Sequence, residues 1–390
     1  MKKLIIAVFV VVVLFFGILF VINNKEKDDN DSSDMLIFKD NVEVYEKLKL
    51  SDVIELKNVA LKEDFEIDTK KLGLNEIDFE YTDEGIEKTG KVKINVVDTT
   101  PPYIGIRDYY NHIIDTNFTF EKDVICGDNY DRDITCEIIG VYDLNTLGET
   151  NLKVVATDSS GNKEEKDFIL RVIEKPADTA IVYKTLDEIK NAKPENASIM
   201  IDVSKWQAEI DWQEVKNAGI DYAMLRLGTQ KAIDEDSVID TYFDRNITEA
   251  QKVGIKVGVY YYSYANDIND AKVQAEWVIE NLKEYKLDLP VAFDWECWNF
   301  FNGFKISFYD LNEIGRTFLT EIKNAGYKTL NYGSKNYMEN IWSLDEFDVW
   351  LAHYTDETDY SKDYLMWQFT DRGIVPGIKN KVDVNYYFDK

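Results

Sequence analysis

The feature that most restricts the fold lies beyond Pro194, where short apolar runs alternate with amphipathic stretches almost to the C-terminus. Residues 199–203, 222–226, 257–262 and 290–294 are apolar at successive positions, the texture of strands covered on both faces. Residues 212–218, 239–253 and 271–287 carry apolar side chains at helical spacing between them, and 309–325 continues the pattern. Further strand-like runs at 330–332, 349–352, 365–369 and 382–385 follow with less helix between them. Strand–helix alternation predicts a parallel sheet. The stretch is shorter than the roughly 250 residues of a complete eight-helix barrel. An abbreviated TIM-like (β/α) barrel is therefore expected over 197–390.

Carboxylates fall at the ends of these strands: Asp202 at the first, Asp294 and Glu296 at the fourth, Asp383 in the last. Barrel active sites assemble at the C-terminal rim of the strands. Residues i and i+2 of a strand share a face, so Asp294 and Glu296 are expected side by side in the mouth. Two adjacent carboxyls in a partly dry cleft cannot both ionise cheaply. One proton then serves the pair, giving the acid and the carboxylate that glycoside hydrolysis requires. With only two histidines in the chain, His112 and His353, a Ser-His-Asp or Cys-His mechanism and a zinc site are not expected.

The motifs around these carboxylates resemble the glycoside hydrolase family 25 lysozymes. Ile201-Asp202-Val203-Ser204 with Trp206-Gln207, then Ile210-Asp211-Trp212, is similar to that family's opening strand. Gly258-Val259-Tyr260-Tyr261-Tyr262, Asp294-Trp295-Glu296, Trp367-Gln368-Phe369-Thr370 and Val382-Asp383-Val384-Asn385 follow in the family's order. The resemblance implies a barrel of five helices and eight strands that cleaves the β-1,4 bond between N-acetylmuramic acid and N-acetylglucosamine. Carried over, Glu296 is the general acid and Asp294 stabilises the oxocarbenium-like state or positions the substrate's N-acetyl group. Asp202 and Asp383 flank them. Tyr260, Tyr262, Tyr332 and Trp367 are candidates for sugar stacking, with core packing the competing role for each, and Gln368 is a hydrogen-bond partner at the mouth. No cofactor and no metal are implied. Arg226-Leu227-Gly228-Thr229 departs from the family's second strand, and the aromatic insertion 298–304 is a candidate extension of the cleft. A chitinase-like barrel also ends a strand in Asp-x-Glu, but Leu289 and Ala292 stand where it requires Asp. A non-catalytic barrel on a surface adhesin is the alternative from another class.

The N-terminal half reads differently. From about residue 35, short β-like runs are separated by turn residues, and Leu72-Gly73 and Thr82-Asp83 recur as Leu147-Gly148 and Thr157-Asp158. The pattern resembles bacterial immunoglobulin-like surface modules, best at 156–162. Two all-β Ig-like sandwiches are expected at 35–98 and 99–174, divided near Pro101-Pro102, with a linker at 175–196 and surface protein partners through the modules. Asp128, Asp131 and Asp133 read as a solvated acidic loop rather than a calcium site. Cys126 and Cys136 fit either a small disulfide loop or two buried thiols.

Residues 4–22 are nineteen consecutive uncharged, apolar positions, as a helix about 28 Å long. They are expected to form an uncleaved transmembrane anchor (1–24) with a flexible spacer at 25–34. The expected localisation is single-pass in the cell membrane with the bulk extracellular. A formal net charge of −28 excludes nucleic acid as a partner, because phosphate recognition needs clustered Lys and Arg. Carbohydrate binding, with peptidoglycan glycan strands as the expected partner, must then come from aromatic stacking and hydrogen bonds.

Overall fold

The structure, a computed structural model, describes residues 35–57, 59–117, 120–177 and 180–389. Two compact units divide at Val97 and Asp98.

In the first unit, an antiparallel hairpin of Gly73–Asp83 and Ile86–Val97 dominates. Glu84 and Gly85 form its tight turn with φ of 48° and 83°, both left-handed, which Gly85 adopts without Cβ strain. Ala60–Leu61 extends one edge antiparallel and Asn41–Glu43 the other in parallel. Met35–Ile37 and Ile54–Leu56 form a separate ribbon.

The second β unit, at the start of Asp98–Lys390, repeats this plan. Gly148–Thr157 and Lys163–Ile173 form the long hairpin, Glu137–Ile139 pairs antiparallel on one edge and Tyr109–Ile113 parallel on the other. Tyr103–Gly105 and Ile125–Gly127 form the ribbon. Its core joins the two sheets through Ile104, Phe120, Cys126, Val154, Phe168 and Leu170. The sequence repeat therefore marks a repeated topology. The expectation of Ig-like sandwiches is corrected. Each copy sets a four-stranded mixed sheet beside a two-stranded ribbon, short of the seven-strand double sheet of that fold. Cys126 and Cys136 are joined by a disulfide, with Cα atoms 5.8 Å apart.

The anchor expected at 4–22 lies outside the described residues. Among the described residues no helix is long and apolar enough to cross a membrane. For the expected membrane-spanning fold class, membrane partner and single-pass localisation, the correction is that no described helix spans a membrane.

The barrel closes with eight strands: β1 (Ser198–Val203), β2 (Tyr222–Gln230), β3 (Lys256–Ser263), β4 (Val291–Trp295), β5 (Thr329–Ser334), β6 (Asp348–Ala352), β7 (Met366–Ile374) and β8 (Val382–Tyr387). Neighbours from β1 to β7 run parallel, while β8 lies antiparallel to both β7 and β1 and closes the ring. Helices α1 (Trp212–Asn217), α2 (Phe243–Lys252), α3 (Ile268–Leu282), α4 (Phe308–Asn324) and α5 (Lys335–Asn340) lie between strands. In α4, Leu311, Ile314, Phe318, Leu319 and Ile322 are buried at helical spacing, and Ser307 and Asp310 form a capping box at its start.

Strand alternation sorts the barrel side chains. Outward positions such as Ile201, Val259, Phe293 and Val384 join the large core beneath the helices. Inward positions Met200, Met224, Ala292, Leu330, Trp350 and Met366 fill the barrel interior. Gly258 is needed there, because a Cβ would stand 2.7 Å from both Met224 Sδ and Leu289 Cβ. One inward step further along the strands, the apolar floor gives way to carboxylates.

Candidate active site

Asp202 follows Met200 on the inward face of β1, and Asp294 follows Ala292 on β4. Both are buried. The Asp202 Oδ2 accepts hydrogen bonds from Gln368 Nε2 at 3.0 Å and Asn385 Nδ2 at 2.7 Å. The Gln368 Oε1 accepts from the hydroxyls of Tyr332 and Tyr354 at 2.8 and 2.9 Å, and the Asn385 Oδ1 accepts from Trp350 Nε1 at 2.7 Å. This web braces the Asp202 carboxylate from four strands, β5 to β8. Asp383 stands opposite Asp202 in the β1/β8 register and is hydrogen bonded to it. Burial, and then the Asp202 charge, push the Asp383 carboxyl up to about 8. Asp202 is also raised, chiefly by burial, against the lowering effect of its amide donors.

Asp294 and Glu296 form the second carboxyl pair. Their side chains are hydrogen bonded to each other, and Asp294 Oδ1 is buried without a partner. Burial followed by the Glu296 charge holds the Asp294 carboxyl well above the usual range, and burial raises Glu296 too. Glu296 nevertheless reaches solvent in the cleft, whereas Asp294 does not. Arg226, inward on β2, moderates Asp294 by its positive charge. Its guanidinium is held by the buried Asp240 at 2.6 Å, and Asp240 also accepts from the backbone of Lys205 and Tyr242.

The other residues expected at the site divide. Tyr262 lies beside Asp294 and Glu296, whose charges add to burial in raising its hydroxyl. Tyr332 faces the mouth with its hydroxyl on Gln368. Tyr260 is inward but packs edge-on to Trp350 at 5.9 Å, deeper in the barrel. Trp367 stands on the opposite face of its strand, buried against Phe369 and Tyr386, with its Nε1 on the His353 carbonyl. It is remote from the mouth because it is one residue out of phase with Gln368.

A cavity of about 540 Å³ opens beside Glu296, walled by Trp298, Tyr332, Asn336, Tyr337 and Tyr354. Trp298, in the aromatic insertion, stacks on Tyr337 at 3.8 Å. A second cavity of about 830 Å³ carries on from Tyr354 past Asp383 to Trp206, which is 69% exposed. The two share Tyr354, so a groove crosses the mouth with an aromatic group at each end. Sequence reasoning left Tyr337, Tyr354, Trp350 and the Arg226/Asp240 pair unassigned. Inward parity on β2 and β6 could have found Arg226 and Trp350. Tyr354 sits past its strand and Tyr337 in a helix, where no period points to the mouth.

A closed eight-stranded barrel with two adjacent carboxyl pairs under an aromatic groove has the architecture of a glycoside hydrolase. The comparisons agree. The model of glycosyl hydrolases family 25 matches residues 201–378. An uncharacterized protein of Escherichia coli K12, YegX, is 30% identical over 192 residues, 48% of this chain and 68% of its own. The autolytic lysozyme of Clostridium acetobutylicum is 25% identical over 190 residues, 48% of this chain and 55% of its own. Among solved structures, a family 25 glycosyl hydrolase from Bacillus anthracis is 23% identical, covers 51% of this chain and 92% of its own, and has a TM-score of 0.44. The chain belongs to glycosyl hydrolases family 25 and carries a lysozyme-type hydrolase domain.

Proposed function

We propose that the protein hydrolyses the β-1,4 bond between N-acetylmuramic acid and N-acetylglucosamine in peptidoglycan, with Glu296 as general acid. The observation that carries this reading is the hydrogen-bonded pair of Asp294 and Glu296 at the floor of the groove, both with raised affinity for a proton. Both carboxyls keep their protons to higher pH than free carboxyls do, and as neighbours they give them up in coupled steps. Glu296 is the member that reaches substrate, so the proton is delivered from it to the glycosidic oxygen as the C1–O bond breaks. Asp294 is then left as a carboxylate facing the developing cation.

The pair's closeness also bears on the nucleophile. Inverting enzymes set their carboxyls about 6.5–9.5 Å apart and retaining ones about 5–5.5 Å, in each case across the sugar. Two carboxyls in hydrogen-bond contact act from one side. The substrate's own 2-acetamido oxygen then attacks C1, Asp294 accepts the acetamido N–H, and Glu296, now ionised, deprotonates the water that opens the ring intermediate. The anomeric configuration is retained.

Asp202 and Asp383 hold sugar hydroxyls and set the local charge, Gln368, Tyr262 and Tyr332 line the reacting sugar's subsite, and Trp298, Tyr337 and Trp206 stack on flanking sugars. The test is digestion of purified glycan strands by the full chain, with mass spectrometry of the new reducing ends. Ends on N-acetylmuramic acid are expected. Ends on N-acetylglucosamine would overturn the bond assignment, and binding without cleavage would favour a non-catalytic glycan-binding barrel.

A further inference from the structure

A second group of buried carboxylates lies outside the barrel. Asp98 opens the second β unit, Asp128 follows the strand Ile125–Gly127, and Asp158 follows Gly148–Thr157. They are 6%, 1% and 7% exposed, and one carboxylate oxygen from each lies within 4.8 Å of the others. Oxygens bound to one calcium ion at about 2.4 Å can stand at most about 4.8 Å apart. The three are thus spaced to share an ion.

Asp128 supplies the independent sign of a ligand. Its Oδ1 accepts from the backbone N–H groups of Tyr130 and Asp131, both at 2.8 Å, while its Oδ2 is buried with no hydrogen-bond partner. The side-chain carbonyl of Asn129 is likewise buried without a partner, and its amide donates to Asp98 at 3.3 Å, which places it at the cluster. A buried carboxylate oxygen without a donor is costly, and two like charges beside it add to the cost. Burial, with smaller contributions from Asp98 and Asp158, pushes the Asp128 carboxyl up to about 6. A divalent cation offsets that repulsion. The donors are all oxygen, the set preferred by calcium and magnesium over zinc.

We propose that the second β unit binds one calcium ion between Asp98, Asp128 and Asp158, with the Asn129 side-chain carbonyl as a further ligand. Of the acidic residues in the 128–133 loop, only Asp128 belongs to this cluster. Asp131 is engaged by the backbone and hydroxyl of Ser159, and Asp133 pairs with Lys305.

The ion would sit behind the loop that grips the barrel. Inside the disulfide-closed segment, the Asp128 and Asn129 carbonyls accept from the first-turn N–H groups of Phe308 and Tyr309 in α4, and Arg132 binds both oxygens of Asp310 in the α4 capping box at 2.7 and 2.9 Å. These contacts give the N–H groups at the helix start acceptors that the helix itself cannot supply. Helix α4 directly follows the aromatic insertion beside Glu296, so calcium is expected to firm one wall of the groove from outside it.

Calorimetric titration of the chelator-treated full chain with calcium chloride tests the site. One saturable ion is expected, with Kd of about 10⁻³ M or tighter, and slower amide exchange across 126–136 on binding. Asp128→Asn keeps the oxygen that receives Tyr130 and Asp131 but removes the charge. It should weaken calcium at least tenfold, while its melting temperature in chelator matches or exceeds that of the parent. Absence of saturable calcium binding to the parent chain, or undiminished binding by a folded Asp128→Asn, would overturn the proposal.

Discussion

The barrel mouth and the second β unit each bury a group of carboxylates within one compact unit, and they satisfy them differently. In the mouth, Asp202 is met by two amide donors, Asp383 by Asp202, and Asp294 by Glu296, all beneath a groove open to solvent. In the β unit, Asp128 is met on one oxygen by backbone N–H groups, its other oxygen is bare, and Asp158 is tied up by Asn162. Carboxyls paired with one another hold protons and can pass them on. Carboxyls braced by backbone, with free lone pairs converging, present a cage for a cation. The residue type is common to both, and the chemistry follows from what donates to each oxygen.

The sharpest break of this comparison is at Glu296. Glu296→Gln keeps shape and hydrogen bonding but cannot deliver the proton, so turnover of glycan strands should fall by about 10²–10⁴-fold with binding retained. Near-parental turnover would remove Glu296 from the acid role. Asp294→Asn should come next, with kcat reduced about a hundredfold through loss of the charge facing the cation. Its pH profile should also lose the limb set by the shared proton, and an unchanged profile would show that the pair does not titrate together.

Gly127→Val probes the β unit's seat on the barrel. A Cβ there would lie 2.4 Å from Phe308 and 2.7 Å from Phe301. Such overpacking costs about 1–3 kcal/mol, measurable by urea denaturation. Unchanged stability would mean that the two surfaces part without cost. Trp298→Ala should raise KM on long glycan strands about tenfold, equivalent to about 1.4 kcal/mol, and leave kcat on short ones near parental. An equal loss on both would place Trp298 outside the groove's binding role.

The smallest effect concerns Asp383. Its folded-state carboxyl, raised to about 8, binds a proton more tightly than in the unfolded chain, where it titrates near 4. The stability it contributes is full below the unfolded value and is lost as pH rises through about 8. Between pH 6 and 9 the parent should therefore lose several degrees more in melting temperature than Asp383→Asn. Parallel curves for the two would show that Asp383 does not hold a proton in the fold.

The sequence by itself determined the barrel and set carboxylates at the ends of its strands. Apolar alternation places strands, and the two-residue period sets Asp294 and Glu296 toward one face, although Glu296 lies one residue past the strand end. The 75-residue recurrence of Leu-Gly and Thr-Asp likewise marked two copies of one β topology. Tertiary structure alone decided how those pieces are used. Trp367 carries the same family motif as Gln368 yet points into the outer core, since adjacent residues on a strand face opposite ways. Asp98, Asp128 and Asp158 are 30 residues apart at each step, and no local period links them, because their meeting point is made by three strand ends folding together. Likewise, that the loop closed by Cys126 and Cys136 braces the helix beside the active site depends on Gly127, Phe301 and Phe308 packing across a surface assembled from chain segments more than 170 residues apart. Local period fixes which way a side chain faces, but long-range packing fixes what it meets.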